Sequence, residues 1–147
     1  GIGRAVAEKL ASDGFKVIIN YVSNDAAAAE TVAAIEAAGG EAELIQAVDF
    51  GPDQIAGYDA FAFGCPAMGA EELEDSEFAP MWDSVEPALG DYRVALFGSY
   101  DWGDGQWLSD WADRVTGAGA TLIGDTLKAH LTPEDADLEA AKALGAK

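Results

Sequence analysis

Five short apolar runs alternate with stretches of helical period along the whole chain, and that alternation leaves few folds open. The runs are "FKVIINYV", "EAELIQAV", "YDAFAFG", "YRVALFG" and "ATLIGDTL". The first is a continuous β-branched run without polar alternation, as expected of a strand buried on both faces. Between the runs the period changes. Val32 and Ile35 share one face of "NDAAAAETVAAIEAAGG", which stops at Gly39-Gly40. Phe78, Met81 or Trp82, Val85 and Leu89 recur at helical spacing in "SEFAPMWDSVEPALG", and Trp107, Leu108, Trp111 and Val115 do so in "DGQWLSDWADRVTGAG". A last helix is expected over "TPEDADLEAAKALGA", with Thr132 as its cap and Pro133 at its first position. Another precedes the first strand, "GIGRAVAEKLASDG", with Val6 and Leu10 inward and Gly14 at its end.

Strands joined by helices through short turns make a doubly wound parallel α/β sheet, read here as one domain over residues 1–147. In such sheets ligands bind beyond the carboxyl ends of the strands. Those ends run into "NYVSND", "GCPAMGAEE", "GSYDWGDG" and "GDTLKAH".

Composition narrows the function. Eight basic residues face 27 acidic ones, a formal charge of −19. Nucleic acid and anionic membrane are excluded as partners, because both demand positive charge. A field of this sign either steers the chain toward basic partner proteins or is an acidic surface of halophile type, kept for solubility. Cys65 and His130 are each the only residue of their kind, which removes disulfides and the usual Cys or His metal sites. No apolar run reaches membrane-spanning length and no signal-peptide pattern opens the chain, so a cytoplasmic monomer is expected.

Two of the strand-end loops carry the chemistry. In "GCPAMGAEELEDSEF" an outward Met68 stands among glycines and acids; in "FGSYDWGDGQW" Trp102 sits at the loop tip between Asp101 and Gly103. A thioether and an indole facing each other across adjacent strand ends would sandwich a flat aromatic ligand. These two loops resemble the isoalloxazine loops of the short-chain flavodoxins, small FMN proteins that shuttle single electrons. The resemblance runs from about Tyr58 to the C-terminus. It implies a flavodoxin-like sheet of order 2-1-3-4-5 with an extra N-terminal helix. Lys16–Tyr21 would be the central first strand, paired with Asp59–Phe63, and Glu43–Ala47 would lie at one edge. It implies FMN as cofactor, with Met68 on one face of the flavin and Trp102 on the other. Gly69 would be the hinge whose peptide flips toward reduced N5, and Glu71 would accept a hydrogen bond from N3–H. The backbone of Ser99, Tyr100, Asp101, Trp102 and Gly103 would take the pyrimidine carbonyls. The acids Glu71, Glu72, Asp75, Asp101 and Asp104 would disfavour the anionic fully reduced flavin, hence a low potential and one-electron traffic. Their other reading is as caps of the helix starts at Ser76 and Gly105.

The N-terminal third resembles something else. "GIGRAVAEKLASDGFKVIINYVSNDAAAAETVAAIEAAGGEAELIQA" is similar to part of a short-chain dehydrogenase/reductase, beginning at the last two glycines of the dinucleotide fingerprint. The Tyr-x-x-x-Lys pair of that family is absent: Asp25, Ala62, Leu96 and Asp104 follow Tyr21, Tyr58, Tyr92 and Tyr100 at that spacing. The chain therefore reads as a junction of two families near residues 46–52. Ser23 and Asn24 open a helix and could hold a phosphate, or simply cap it. The expected function is an FMN-binding, low-potential one-electron carrier and not an enzyme, with FMN binding impaired by the substitute phosphate loop. The alternatives are a folded hybrid scaffold without cofactor and a truncated NAD(P)-binding reductase fragment.

Overall fold

A computed structural model describes residues 1–21 and 24–147. Its elements run α1 (Ile2–Ser12), β1 (Lys16–Tyr21), α2 (Asp25–Ala37), β2 (Glu41–Gln46), the single turn α3 (Pro52–Ile55) and β3 (Ala60–Gly64). They continue as α4 (Phe78–Val85), β4 (Arg93–Tyr100), α5 (Gln106–Gly117), β5 (Thr121–Leu122), β6 (Leu127–His130) and α6 (Asp135–Gly145). Every pairing within the strands is parallel. The fold is the expected flavodoxin-like α/β arrangement of parallel strands and helices.

β4 is the middle of the larger sheet. β3 pairs along one edge, from Ala60↔Arg93 to Gly64↔Phe97. The last apolar run pairs along the other edge in two pieces, Arg93↔Thr121 and then Phe97↔Leu127. Four residues of β4 are thus matched by six of the partner, and the surplus bulges at 123–126, where Gly124 takes φ +67°. The single strand expected over "ATLIGDTL" is therefore two short ones.

On one face of this sheet, α4 and α5 bury Phe78, Met81, Trp82, Val85, Trp107, Leu108, Trp111 and Val115 against Phe61, Phe63, Val94 and Leu96. Trp82 and Trp111 meet edge to face, with ring centres 5.2 Å apart. Their helical spacing had assigned them inward. The last helix starts later than expected. Its cap is Glu134, whose N–H donates to Asp137 Oδ2 at 2.9 Å, so Thr132 and Pro133 lie outside it.

The order 2-1-3-4-5 is met in its two parts but not at their junction. β1 pairs with β2 in register from Lys16↔Glu41 to Tyr21↔Gln46, and among the described residues no pairing joins β1 to β3. The reason lies in α1. Its Ile2, Ala5 and Val6 pack with Phe97, Leu127, Ala129 and Ala141 over the larger sheet. Its Ala7 and Ala11 pack with Val17 and Ile35 over the smaller one, and Leu10 touches both clusters. α1 thus lies between α2 and α6 as a third helix on that face. A helix is about 10 Å wide and strands are spaced at about 4.8 Å, so the extra helix spans roughly two strand positions. The sheet beneath opens at the β1–β3 joint. β3 is accordingly exposed at Ala60 and Ala62, although a central strand would be covered on both faces.

Candidate functional site

The loops after β3 and β4 leave the sheet side by side, because pairing continues past the strand ends. Cys65 N–H donates to the Phe97 carbonyl at 3.2 Å, and Ala67 N–H to that of Ser99 at 2.9 Å. The first loop then reverses: Met68 and Glu72 exchange two N–H···O=C bonds of 2.8 Å. Gly69 (φ +49°) and Glu71 (φ +58°) make the turn. The left-handed backbone of Glu71 costs about 1–2 kcal/mol.

The Glu71 side chain offsets that cost. Its Oε1 accepts from Gly105 N–H at 2.7 Å and from Gln106 N–H at 2.9 Å, the opening amides of α5. A carboxylate here also meets the positive end of the helix. Oε2 receives no hydrogen bond from the described residues. The carboxyl group occupies the space beside Gly103: a Cβ there would lie 2.5 Å from Glu71 Cδ. Glu71 therefore ties the two loops together. It does what the capping reading of the acids asked at Gly105.

The second loop is also held from β6. Lys128 Nζ donates to the Asp104 carbonyl at 2.7 Å, and His130 Nε2–H to that of Asp101 at 2.8 Å. Leu131 N–H donates to Tyr100 O at 2.8 Å, and the Tyr100 ring packs between Trp107 and His130. Gly103 and Gly105 carry the positive φ of this loop, and Asp101 has none.

Beneath the loops the Trp107 indole N–H donates to the buried Cys65 carbonyl at 3.2 Å. The Cys65 thiol donates to Pro66 O and accepts from Glu74 N–H. Burial pushes this thiol up to about 11. Glu74 caps α4: its carboxylate takes the Ser76 hydroxyl, Ser76 N–H (2.7 Å), Glu77 N–H (3.0 Å) and Phe78 N–H (2.8 Å). The Ser76 hydroxyl, then the Phe78 amide, hold it down at about 2.

Met68 and Trp102 point outward, 47 % and 62 % exposed, unlike the other three tryptophans. Gly69, Asp101 and Gly103 are exposed beside them, and Ser99 and Tyr100 form the half-buried floor. The two loops thus place Met68, Gly69, Glu71, Ser99, Tyr100, Asp101, Trp102 and Gly103 at the same end of the larger sheet. Asn24 is not among them. Its Oδ1 accepts from Ala27 N–H at 3.0 Å, which is ordinary capping of α2. Ser23 lies outside the described residues. Lys128 and His130 carried no role in the sequence reading; a Lys and a His one residue apart on the strand beside a Gly-rich loop were the available signal. Glu74 was hidden among five acids in seven residues.

Parallel strands covered by helices, with loops converging past the strand ends, define a doubly wound carrier of a bound ligand. The flavodoxin family model matches residues 20–145, so the chain belongs to the flavodoxin family. It is an FMN-binding electron-transfer protein, a carrier and not an enzyme. The flavodoxin of Megasphaera elsdenii is 43 % identical over 105 residues, which cover 71 % of this chain and 77 % of that one. The solution structure of the two-electron reduced form of Megasphaera elsdenii flavodoxin superposes with a TM-score of 0.65, covering 88 % of this chain and 95 % of that one at 40 % identity. An uncharacterised oxidoreductase of Methylorubrum extorquens is 53 % identical over 47 residues, 32 % of this chain and 19 % of its own. That match is a local likeness and does not establish a junction of two families. The flavodoxin match begins at residue 20, inside β1 and well before the loops at Tyr58.

Proposed function

We propose that the chain works as a low-potential one-electron carrier whose flavin ring lies between Met68 and Trp102. The observation that carries this is the pair itself: two large apolar side chains held out of the core at adjacent strand ends, on loops that Glu71 ties together. Gly69 serves as the flipping hinge. Glu71 Oε2 is a spare acceptor for N3–H, since Oε1 is spent on α5. The free backbone groups of the 99–103 loop serve the pyrimidine edge. Bound FMN supplies the redox chemistry; these residues bind, orient and shield its ring. Glu72, Asp75, Asp101 and Asp104 are exposed in or next to the same two loops, and their charge would lower the potential by repelling the anionic reduced form. The charge of −19 favours basic redox partners.

The chain is further read as one domain, monomeric and cytoplasmic. No helix among the described residues is long and apolar enough to cross a membrane. Residues 1–47 are read as a reductase-like segment in which α1 is an added helix, supported by the local likeness of that stretch and by the lack of β1–β3 pairing among the described residues. Titration with FMN tests the site. Trp102→Ala should weaken binding by about 1–3 kcal/mol, the scale of a lost aromatic contact and its area. Quenching of a buried tryptophan but not of Trp102 would refute the placement.

A further inference from the structure

One peptide unit of the second loop is gripped from both ends by side chains of opposite charge. The Asp104 carbonyl accepts from Lys128 Nζ at 2.7 Å, and the N–H of the same peptide, on Gly105, donates to Glu71 Oε1 at 2.7 Å. The two glycines on either side of Asp104 make the space. A Cβ on Gly105 would lie 2.5 Å from Lys128 Nζ, and one on Gly103 2.5 Å from Glu71 Cδ. Both glycines also need left-handed backbone, φ +86° and +85°. Gly105 is buried although its neighbours Asp104 and Gln106 are exposed, so water does not compete for its N–H. The ammonium also stands 5.7 Å from the centre of the Tyr100 ring. Among the described residues, Lys128 is the one lysine or arginine that hydrogen-bonds either loop.

We propose that Lys128 and Glu71 act as a pair of positioning residues, a peptide-bridged ion pair that fixes the Asp104–Gly105 peptide and so locks the 101–105 loop against the 68–72 turn in a flavin-ready form. Each bond is charge-assisted, and both polarise the peptide in the same sense, so each strengthens the other. The pair spans three elements: β6 supplies the cation, the turn after β3 the anion, and the loop before α5 the peptide between them. Lys128 also sets one positive charge against Glu71 in a mouth otherwise lined by acids. The role in flavin binding rests on the reading that the ring lies at Met68 and Trp102; the clamp itself does not.

The test uses Lys128→Met, Lys128→Arg, Glu71→Gln and the Lys128→Met/Glu71→Gln double variant of the full chain. Amide exchange in the flavin-free protein reads the clamp. Lys128→Met should speed exchange at Gly105 and Gln106 by about tenfold, the scale of one lost charge-assisted bond, with core amides such as Leu96 unchanged. Lys128→Arg should restore most of the protection. Riboflavin, which lacks the phosphate, reads the consequence. Each single loss should weaken it by about tenfold, and the double variant should fall well short of the product of the two. Unchanged exchange at Gly105 in Lys128→Met, or strictly multiplicative losses in the double variant, would overturn the pair. Riboflavin binding that leaves Trp102 emission untouched, with the exchange results as expected, would overturn the placement of the ring and leave the clamp standing.

Discussion

The Trp107 indole N–H, at the start of α5, donates to the Cys65 carbonyl at the end of β3, 3.2 Å away and out of water. This bond fixes where the first loop leaves the sheet, and it is paired with a close approach: a Cβ on Gly98 would lie 2.3 Å from the same carbonyl oxygen. Trp107→Phe keeps an aromatic ring beside Tyr100 and deletes the donor, leaving a buried acceptor unpaired. The expected loss is about 1–3 kcal/mol in denaturant unfolding, with no change in the slope.

The Cys65 thiol is buried beneath that carbonyl and raised to about 11, chiefly by burial. Thiolate is the reactive form. At pH 8 the folded protein should therefore resist a thiol-specific disulfide reagent and react at the rate of its own unfolding. Rapid stoichiometric labelling of folded protein would contradict this packing.

Glu74 gives acid sensitivity with a definite sign. Its folded value is depressed to about 2 from an ordinary 4.5. The stabilisation is therefore fully present above pH about 4.5 and is lost as the pH falls through about 2. Unfolding midpoints followed from pH 6 to pH 2 should show that loss in the native sequence. Glu74→Gln should lower stability at pH 6 and flatten the profile below pH 4.5.

Much of this was legible in the sequence because the signals were local. The β-branched runs, the helical spacing of Trp82, Trp107 and Trp111, and the outward Met68 and Trp102 each declare themselves within a dozen residues. What was not legible depended on partners far along the chain. Lys128 meets Asp104 across 24 residues, and the Lys-x-His pair in "GDTLKAH" does not by itself say which loop it holds. The bulge at 123–126 sits on Gly124, but how many residues it takes up follows from the register against β4. The open β1–β3 joint is a packing result: α1 was legible as a helix, but the width it occupies between α2 and α6 appears only in three dimensions.

That joint has its own consequence. Val6 is 2 % exposed in the cluster that seats α1 on the larger sheet. Val6→Ala should cost about 1–3 kcal/mol, two methyl groups plus the space they leave. The amides of β3 should exchange faster than those of β4, because one edge of β3 has no strand partner among the described residues. Protection of β3 equal to that of β4 would mean that the joint closes in solution.

The phosphate end of the cofactor is where binding should be weakest. Asn24 is committed to capping α2, and Asp25 stands in the first turn of that helix. Lys16, on β1, pairs with Glu43 at the opposite end of the strand, 3.5 Å away, and so does not offset Asp25. A phosphate dianion must also approach a chain of charge −19. The ring should therefore contribute more than the phosphate, and riboflavin should bind within about tenfold of FMN. Raised salt should help FMN and leave riboflavin nearly unchanged, since it screens repulsion that only the phosphate feels. Asp25→Ser should tighten FMN selectively. Fluorescence titration of both ligands at two ionic strengths decides the matter. An FMN affinity about a thousandfold above that of riboflavin, about 4 kcal/mol, would mean that the sequence "VSNDAAAA" is a competent phosphate loop.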